Sequence, residues 1–413
     1  MIRFGWVDFS SDDRTRVQQV LALLKEPGTL DELGIGQVRD AFSDLLFPGF
    51  STIQTRARYF LAVPHILLDW ASLSPKKRRN LPLERYLLEA ENELARTLKT
   101  NHEIAGLPLD GIIGHTMVES GGVARRPSST YWNGLKLFNI INSPKSLAEF
   151  CRDWKRDAGD YSAVDAEEGS DDADHRFESD VRRPPGARGT WRDDVTLNLS
   201  KAEADFLSVH FCTLKELEHS VAGQLLSTEL ADSALEEKYK RFASFSVWAS
   251  QQTSLSLISK GRIAQAQRFS DAIEGAHIIF NGLLAHEMED DDLAEKCLGY
   301  FSSWRARVAH SNIFHSGALV EWLDAPRALG ITVNPRTVAF LDDWNEAMLN
   351  AAPKKKLEGL VRAQALKNKP GRSLLVRLPR TKSTWYGMKE LEYRWSTARG
   401  MLSDVMEGKK CLA

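Results

Sequence analysis

The chain has 413 residues, 43% of them hydrophobic, so it can bury a large core, and its formal net charge of −2 predicts by itself no attraction to nucleic acid. Its longest apolar stretch, residues 60–68, is far shorter than the roughly 18 residues that span a membrane, and it contains Pro64 and His65. The N-terminus lacks the apolar core of a signal peptide, and the four cysteines form no paired motif. These features predict a cytoplasmic protein without disulfides, structural zinc or a membrane span.

Helical periodicity dominates the first third of the chain, where apolar residues recur every three or four positions. Thr29 with Glu32, and Ser51 with Gln54, have the spacing of capping boxes on either side of a Pro-Gly turn, a pattern typical of a helix-turn-helix. The predicted helices lie at about 12–24, 36–46, 52–73, 82–99, 129–140 and 145–155.

Residues 157–194 are acidic at first and then rich in Arg, Pro and Gly, with too few apolar side chains to fold alone, which predicts a linker. Beyond it, residues 195–199 and 373–378 alternate like short strands, and Ser200 with Glu203 predicts a helix start. The sequence therefore predicts a mainly α fold, with an N-terminal helical domain at 1–156 that contains a winged helix-turn-helix-like module, and a larger helical domain at 195–413. The helices of that larger domain are expected at about 201–211, 232–254, 262–288, 291–308, 335–350, 355–368 and 387–407.

The best-placed candidate for nucleic-acid contact is the run GGVARRPSSTYWNGLKLF, residues 121–138. Arg125 and Arg126 precede Pro127, which predicts a helix start whose positive end favours an anion. This helix resembles the recognition helix of a winged helix-turn-helix, although such modules also serve as protein-docking surfaces. Its apolar side is expected to pack inward, and its donors are expected along the other side: Ser128, Ser129, Tyr131, Asn133 and Lys136.

Two arginines of the helix predicted from Thr52 have different expected roles. Arg58 is a second candidate for contact with phosphates or base edges, with pairing to Asp40 or Asp44 as the alternative. Arg56 lies beside the apolar stripe, and we expect it to pair with Asp40 or Asp44 on the preceding helix.

The last part of the chain carries a surplus of positive charge. From Lys354 to Lys410 there are 15 basic residues and 5 acidic ones, a local charge of +10 that leaves −12 for the rest. This composition predicts either a surface that follows a phosphate backbone or docks on an acidic partner, or a solvated helix face neutralised by the acidic half of the chain. Arg380 and Lys382 are its candidate contacts, and aromatic residues are interleaved with the cations: Trp385, Tyr386, Tyr393 and Trp395.

Catalytic signals are weak, because no Walker, GxGxxG, GxSxG or HxK motif is present. Asp232 with residues 236–238 imitates the spacing of a nuclease metal site, but it lies in a run typical of helix-surface ion pairs. Arg305 and His310 have the Rx4H spacing of small helical ribonucleases, yet five residues set them about 140° apart on a helix. The acidic run 287–292 lacks the alternation and Gly of a calcium loop. We therefore expect no catalytic residue, metal or cofactor.

Two runs have a pattern too specific for an ordinary helix: TLDELGIGQVRDAFSDLLFPGFSTIQTRARYFLAVP and PSSTYWNGLKLF. Two further runs carry the same resemblance: AQRFSDAIEGAHIIFNGLL and LEYRWSTARGMLSDV. From about Phe4 to Val405 the chain resembles an uncharacterised bacterial domain-of-unknown-function family, number 6361. The resemblance implies a genomic setting and no reaction, since members are often encoded beside helicase-like and phospholipase-D-like nuclease genes in anti-phage islands. We expect a non-catalytic subunit that binds DNA or another nucleic acid and recruits or regulates such a helicase or nuclease. A nuclease with an unrecognised site and a protein-binding scaffold are the alternatives.

Overall fold

The computed structural model describes residues 31–116, 125–157, 180–186 and 189–411. These residues are mainly helical, as the sequence predicts, with one isolated antiparallel bridge between Ile141 and Val181 and no longer β-ladder. None of the helices described is long and apolar enough to cross a membrane. In chain order they are α1 (Gly36–Leu46), α2 (Tyr59–Ala71), α3 (Pro75–Asn80), α4 (Leu83–Ala105), α5 (Pro127–Leu137), α6 (Leu147–Asp157), α7 (Lys201–Cys212), α8 (Val221–Ser227), α9 (Ala231–Ala234), α10 (Phe242–Gln251), α11 (Leu257–Glu287), α12 (Asp291–Ala309), α13 (Ala318–Trp322), α14 (Asp324–Ala328), α15 (Pro335–Leu349), α16 (Lys354–Asn368) and α17 (Trp395–Lys410).

The described residues form two compact units that interleave along the chain. The first takes in 31–46, Phe242–Gln252 and Leu257–Tyr393, and the second takes in the described part of Phe47–Arg241, Thr253–Ser256 and 394–411. The described part of the linker predicted at 157–194 belongs to the second unit, whereas the sequence predicts sequential domains at 1–156 and 195–413. The predicted helix 12–24 and most of that linker lie outside the described residues.

Helix α11 is the centre of the first unit, and α1, α10, α12 and α16 pack against it. Its Gly275 allows close approach, because a Cβ there would lie 2.2 Å from the ring of Trp304 on α12. The indole N–H of Trp304 donates to the Asp271 carbonyl at 2.7 Å, and that of Trp344 donates to the Ala272 carbonyl at 3.0 Å. Large aromatic side chains therefore lock the neighbouring helices onto α11.

A row of buried polar side chains on α11 binds the irregular segment before α17. Ser270 accepts the Leu391 N–H at 2.9 Å. Asn281 accepts the Tyr386 N–H at 2.8 Å and donates to the Tyr386 carbonyl at 3.0 Å. Because these side chains satisfy the backbone of the segment, it has no need of a ladder or a helix. The last helix accordingly begins at Trp395, and the start predicted near 387 is wrong.

Both predicted strands are wrong for a similar reason, since side chains satisfy their backbone groups. Residues 373–378 form turns, in which the Ser373 hydroxyl and the Leu374 backbone N–H donate to the carboxylate of Glu32. Residues 195–199 have no ladder partner among the described residues. The Leu197 N–H donates instead to His102 Nε2 at 2.9 Å.

The second unit is built around Phe60 on α2. Its ring centroid lies 4.9 Å from that of Tyr131 and 5.3 Å from that of Phe138, and 5.4 Å from that of Phe211 on α7. Gly134 on α5 lets that helix lie against the Pro-Gly turn, since a Cβ there would lie 2.4 Å from the Gly49 carbonyl oxygen. The capping box predicted at Ser200 and Glu203 is present at the start of α7.

Helix α2 begins at Tyr59, so the start predicted at Thr52 is wrong. Gln54 does not cap a helix there but holds the turn, accepting the Ser51 N–H and donating to the Gly49 carbonyl, each at 3.1 Å. Arg56 fixes the fold as expected, but its partner is Asp404 at 2.7 Å and not Asp40 or Asp44. The predicted helix 232–254 is interrupted, and only α9, a short 3-10 turn and α10 lie within it.

Candidate nucleic-acid interface

The N-terminal end of α5 is already occupied by a carboxyl group of the protein itself. The Ser128 N–H donates to Oε1 of Glu91 on α4 at 2.5 Å, and Ser128 and Glu91 are 2% and 1% exposed. Burial raises the pKa of Glu91 to about 7, against the hydrogen bonds from Ser128 and the charge of Arg126. Because the side chain of Glu91 occupies this helix end and Ser128 is buried, the phosphate site predicted at Ser128 is wrong.

Tyr131 is also a structural residue and not a surface donor. It is fully buried, its hydroxyl donates to the Arg56 carbonyl at 2.9 Å, and it accepts the Thr55 and Arg56 N–H groups at 2.8 and 3.1 Å. Burial raises the pKa of Tyr131 well above its usual range. The predicted donor side of α5 is therefore divided between the interior and the surface.

The surface part of α5 consists of two exposed residues, Ser129 and Asn133, and the half-buried Lys136. The half-buried Arg125 and Arg126 precede the helix, whereas the two glycines of the run lie outside the described residues. No β-hairpin that could form a wing is found in the ranges that the structure describes.

Arg58 forms an ion pair inside the second unit. Its side chain is 9% exposed, pairs with Glu203 through both terminal nitrogens, and donates to the Asn198 carbonyl. It immediately precedes α2. The prediction that Arg58 contacts a phosphate or a base edge is therefore contradicted by its burial.

A group of exposed cations lies in the first unit, on α16 and the loop that follows it. We call residues 354–382 the basic segment, since it holds ten Lys and Arg residues and a single acidic one, Glu358. Six of its cations are exposed and form no ion pair with any described acidic side chain: Lys355, Lys356, Lys367, Arg372, Arg377 and the predicted Arg380. Lys382, also predicted, is exposed and donates to the Glu289 carbonyl at 2.9 Å.

Helix α16 presents its lysines at both ends of one exposed face. Eleven residues separate Lys356 from Lys367, which corresponds to about 17 Å along the helix axis. Between them lie Gly359 and Ala363, which are exposed and small. Lysines in the first turn oppose the helix dipole, and of the three in this turn only Lys354 has a carboxylate nearby, Glu358 at 3.5 Å. Helix stability therefore does not explain Lys355 and Lys356.

Glu32 anchors the loop of the basic segment. It is 5% exposed and accepts the Lys369 ammonium and the Ser373 hydroxyl, each at 2.8 Å, and the Leu374 N–H at 3.1 Å. The role predicted for it in a capping box is wrong, because the neighbouring Asp31 caps α1. Thr29, its predicted partner, lies outside the described residues. Glu32 thus holds in place the loop backbone that carries the exposed arginines.

The aromatic residues among these cations have two different environments. Tyr393 and Trp395 are 2% and 0% exposed and belong to the core. Trp385 and Tyr386 are half-buried in the irregular segment that follows the basic segment. Only these two can face a ligand.

The residues considered for catalysis lie apart from one another or form structural hydrogen bonds and ion pairs. Arg305 donates to the Ala352 carbonyl at 3.0 Å, and the exposed His310 ends α12. Lys238 pairs with Glu236 on the surface at 2.9 Å, and Asp290 of the acidic run caps α12. In the part of the chain described, no three His, Cys, Asp or Glu side chains are grouped to hold a metal ion.

The model of a family of unknown function, DUF6361, matches residues 1–316. The chain belongs to this family. The match covers three of the four runs that carried the resemblance, and it ends before the basic segment of this DUF6361 protein. No curated protein and no solved structure matches the chain. Membership in DUF6361 confirms the resemblance without assigning a reaction, so the function has to be argued from the residues.

Proposed function

We propose that this DUF6361 protein is a nucleic-acid-binding subunit whose main electrostatic contact is the basic segment. The observation that carries the proposal is the group of six exposed cations without ion pairs, in a chain of net charge −2. Each cation that neutralises a phosphate releases condensed counterions, which favours binding. A basic face neutralised by the acidic half of the chain is disfavoured, because these cations lack acidic partners among the described residues.

The predicted helix-turn-helix contributes a secondary contact in this proposal. Its remaining surface residues are Arg125, Arg126, Ser129, Asn133 and Lys136, and they supply three cations. The end of α5 is closed by Glu91, so these cations act as individual charges and not around an anion site at the helix end.

The proposed cellular role is a non-catalytic, cytoplasmic subunit of an anti-phage system that recruits or regulates a helicase or a phospholipase-D-like nuclease encoded nearby. The genomic setting implied by the family resemblance supports this role. The competing functions are a nuclease with an unrecognised site and a protein-binding scaffold. A nuclease would cleave the DNA that it binds, and a scaffold would not bind DNA.

The test compares three variants that each lose three positive charges, measured by fluorescence anisotropy of labelled DNA from roughly 50 to 200 mM salt. The first is Lys355→Ala with Lys356→Ala and Lys367→Ala. The second changes Arg125, Arg126 and Lys136 to Ala. The third, the matched control, changes the exposed Lys76, Lys77 and Arg79 of α3 to Ala.

We expect the first variant to flatten the logarithmic salt dependence of binding by about 2 to 3, at 0.7–0.9 per phosphate contact, and the second to flatten it less. The control should keep the parent slope, because its three cations belong to neither proposed contact although the net charge changes equally in all three variants. A parent that does not bind DNA at low salt would favour the scaffold. Cleavage of the DNA that EDTA abolishes would favour the nuclease.

A further inference from the structure

Three neighbouring aromatic rings of the first unit attract an unusual number of cations. The Lys389 ammonium lies 3.3 Å from the ring centroid of Tyr300 and 5.9 Å from that of Trp385. Arg305 and Lys354 lie 6.0 and 5.7 Å from the centroid of Phe301. Such contacts occur about once per 70–80 residues on average, so four on three rings is a local concentration.

Two of these rings are accessible. Tyr300 on α12 is 40% exposed and Trp385 is half-buried, whereas Phe301 is only 8% exposed. The centroids of Tyr300 and Trp385 are 6.1 Å apart with their planes at 73°. We call this pair the aromatic surface. Because the two rings lie at the protein surface, they are not needed to fill the core. Aromatic rings near cations are the usual surface on which unpaired bases stack.

The aromatic surface is next to the cations of the proposed interface. Lys354, whose ammonium lies over Phe301, begins α16, and Lys355 and Lys356 follow it at once. Of the acidic residues at the start of α12, Asp290 is 4% exposed and its carboxylate accepts backbone N–H groups, whereas Asp292 is exposed and accepts the Ser383 hydroxyl at 3.2 Å. A chain of phosphates on the lysines can therefore place bases at the rings.

We infer that the ligand is a single-stranded nucleic acid, whose bases stack on Tyr300 and Trp385 while Lys389 leaves the face of Tyr300 and, with the lysines that begin α16, neutralises its phosphates. This inference rests on the proposed function and narrows it to one substrate class. A duplex hides the faces of its bases inside the stack, so it has nothing to place on an exposed ring. A single strand offers a face from every nucleotide, whatever its sequence.

The test uses the full-length chain and three labelled probes of about 20 nucleotides, longer than a site of roughly 4–16. The probes are oligothymidylate, an abasic strand with the same phosphates, and a duplex. The variants Tyr300→Leu and Trp385→Leu remove a ring, and the matched controls Tyr300→Phe and Trp385→Phe keep one. Circular dichroism melts check that each variant folds.

We expect each Leu variant to bind oligothymidylate roughly 5- to 100-fold more weakly, the affinity that one stacked base contributes. The Phe variants should stay within about threefold of the parent, since a ring is retained. Binding of the abasic strand and of the duplex should not change in any of the four variants. The salt slope should also be unchanged, because no cation has been removed.

Equal losses for all three probes, or no loss for oligothymidylate, would overturn the inference while leaving the proposed function intact. Competition by polyglutamate that is as effective as competition by the oligonucleotide would assign the surface to an acidic protein partner instead. If Trp385→Leu unfolds the protein, Tyr300→Leu on the helix surface decides alone. A parent that binds no probe at low salt would refute the proposed function itself.

Discussion

Burial decides the role of the charged residues around α2 and α5. Arg58 has the residue type and sequence position of a phosphate contact, yet its guanidinium is enclosed with Glu203. Glu91 has no recognisable signal in the sequence, yet it occupies the helix end where an anion was expected. A charge in the interior needs a partner of its own, and such a pair is not available to a ligand.

Glu91 should make stability depend on pH near neutrality. Its folded pKa of about 7 lies above the ordinary value of 4.5, so protonation favours the folded state. This stabilisation is complete below the unfolded pKa and is lost as the pH rises through 7. Relative to Glu91→Gln, the parent should therefore lose up to about 3 kcal/mol between pH 5 and pH 8.

Urea denaturation of both proteins at the two pH values measures this difference. Glu89→Gln changes an exposed carboxylate of the same helix, and it should leave the pH dependence of stability as it is in the parent. A parent and a Glu91→Gln variant whose unfolding free energies differ equally at pH 5 and pH 8 would contradict the assigned burial.

At the scale of the helix, α11 provides two glycines in opposite environments. A Cβ at Gly275 would lie 2.2 Å from the Trp304 ring, whereas a Cβ at Gly261 would meet no atom within 4 Å. We expect Gly275→Ala to destabilise the protein by about 1–3 kcal/mol through overpacking. Gly261→Ala should stabilise it by up to about 1 kcal/mol, because Ala favours helix more than Gly does.

Thermal or urea denaturation of the two variants tests this pair. Helix propensity alone gives both substitutions the same sign, so a stabilised Gly275→Ala variant would show that α12 does not pack on α11 as described. The same packing explains why α11 departs from the pattern of an ordinary amphipathic helix in the run AQRFSDAIEGAHIIFNGLL. Its Gly275 packs against the Trp304 ring, and its Ser270 and Asn281 bind the backbone of the irregular segment before α17.

At the scale of the molecule, the second unit depends on contacts between distant parts of the chain. Arg58 pairs with Glu203, Arg56 pairs with Asp404, and His102 bonds to Leu197. A fragment of residues 1–156 loses all of these partners. We expect this fragment to show no cooperative unfolding transition by circular dichroism, because it keeps buried charges without their partners.

Co-expression of 1–156 with 157–413 is the control, and it should restore a complex that unfolds cooperatively. Cooperative unfolding of the short fragment by itself would support sequential domains after all. The composition of the linker predicted at 157–194 also predicts that limited proteolysis cuts first between Asp160 and Arg192, although most of these residues lie outside the described ranges.

Local signals predicted most helices well. The prediction at 36–46 agrees with α1, and those at 201–211 and 291–308 agree with α7 and α12 to within one residue. Predictions failed where distant side chains satisfy the backbone, as Glu32 does at Leu374 and Asn281 does at Tyr386. Local periodicity cannot show such partners, since Glu32 and Leu374 are 342 residues apart.

The candidate interface was predicted only in part. Arg380 and Lys382 are exposed as expected, and the charge count from Lys354 onwards indicated their neighbours. The pairing of Tyr300 with Trp385 had no signal, because 85 positions separate two residues that touch only in the folded chain. By itself, the sequence determined the helical class, the family and the surplus of positive charge from Lys354 to Lys410, since these follow from local periodicity, motifs and composition. Only the tertiary structure decided which cations stay exposed and which are paired inside, because burial depends on contacts between residues far apart in the chain.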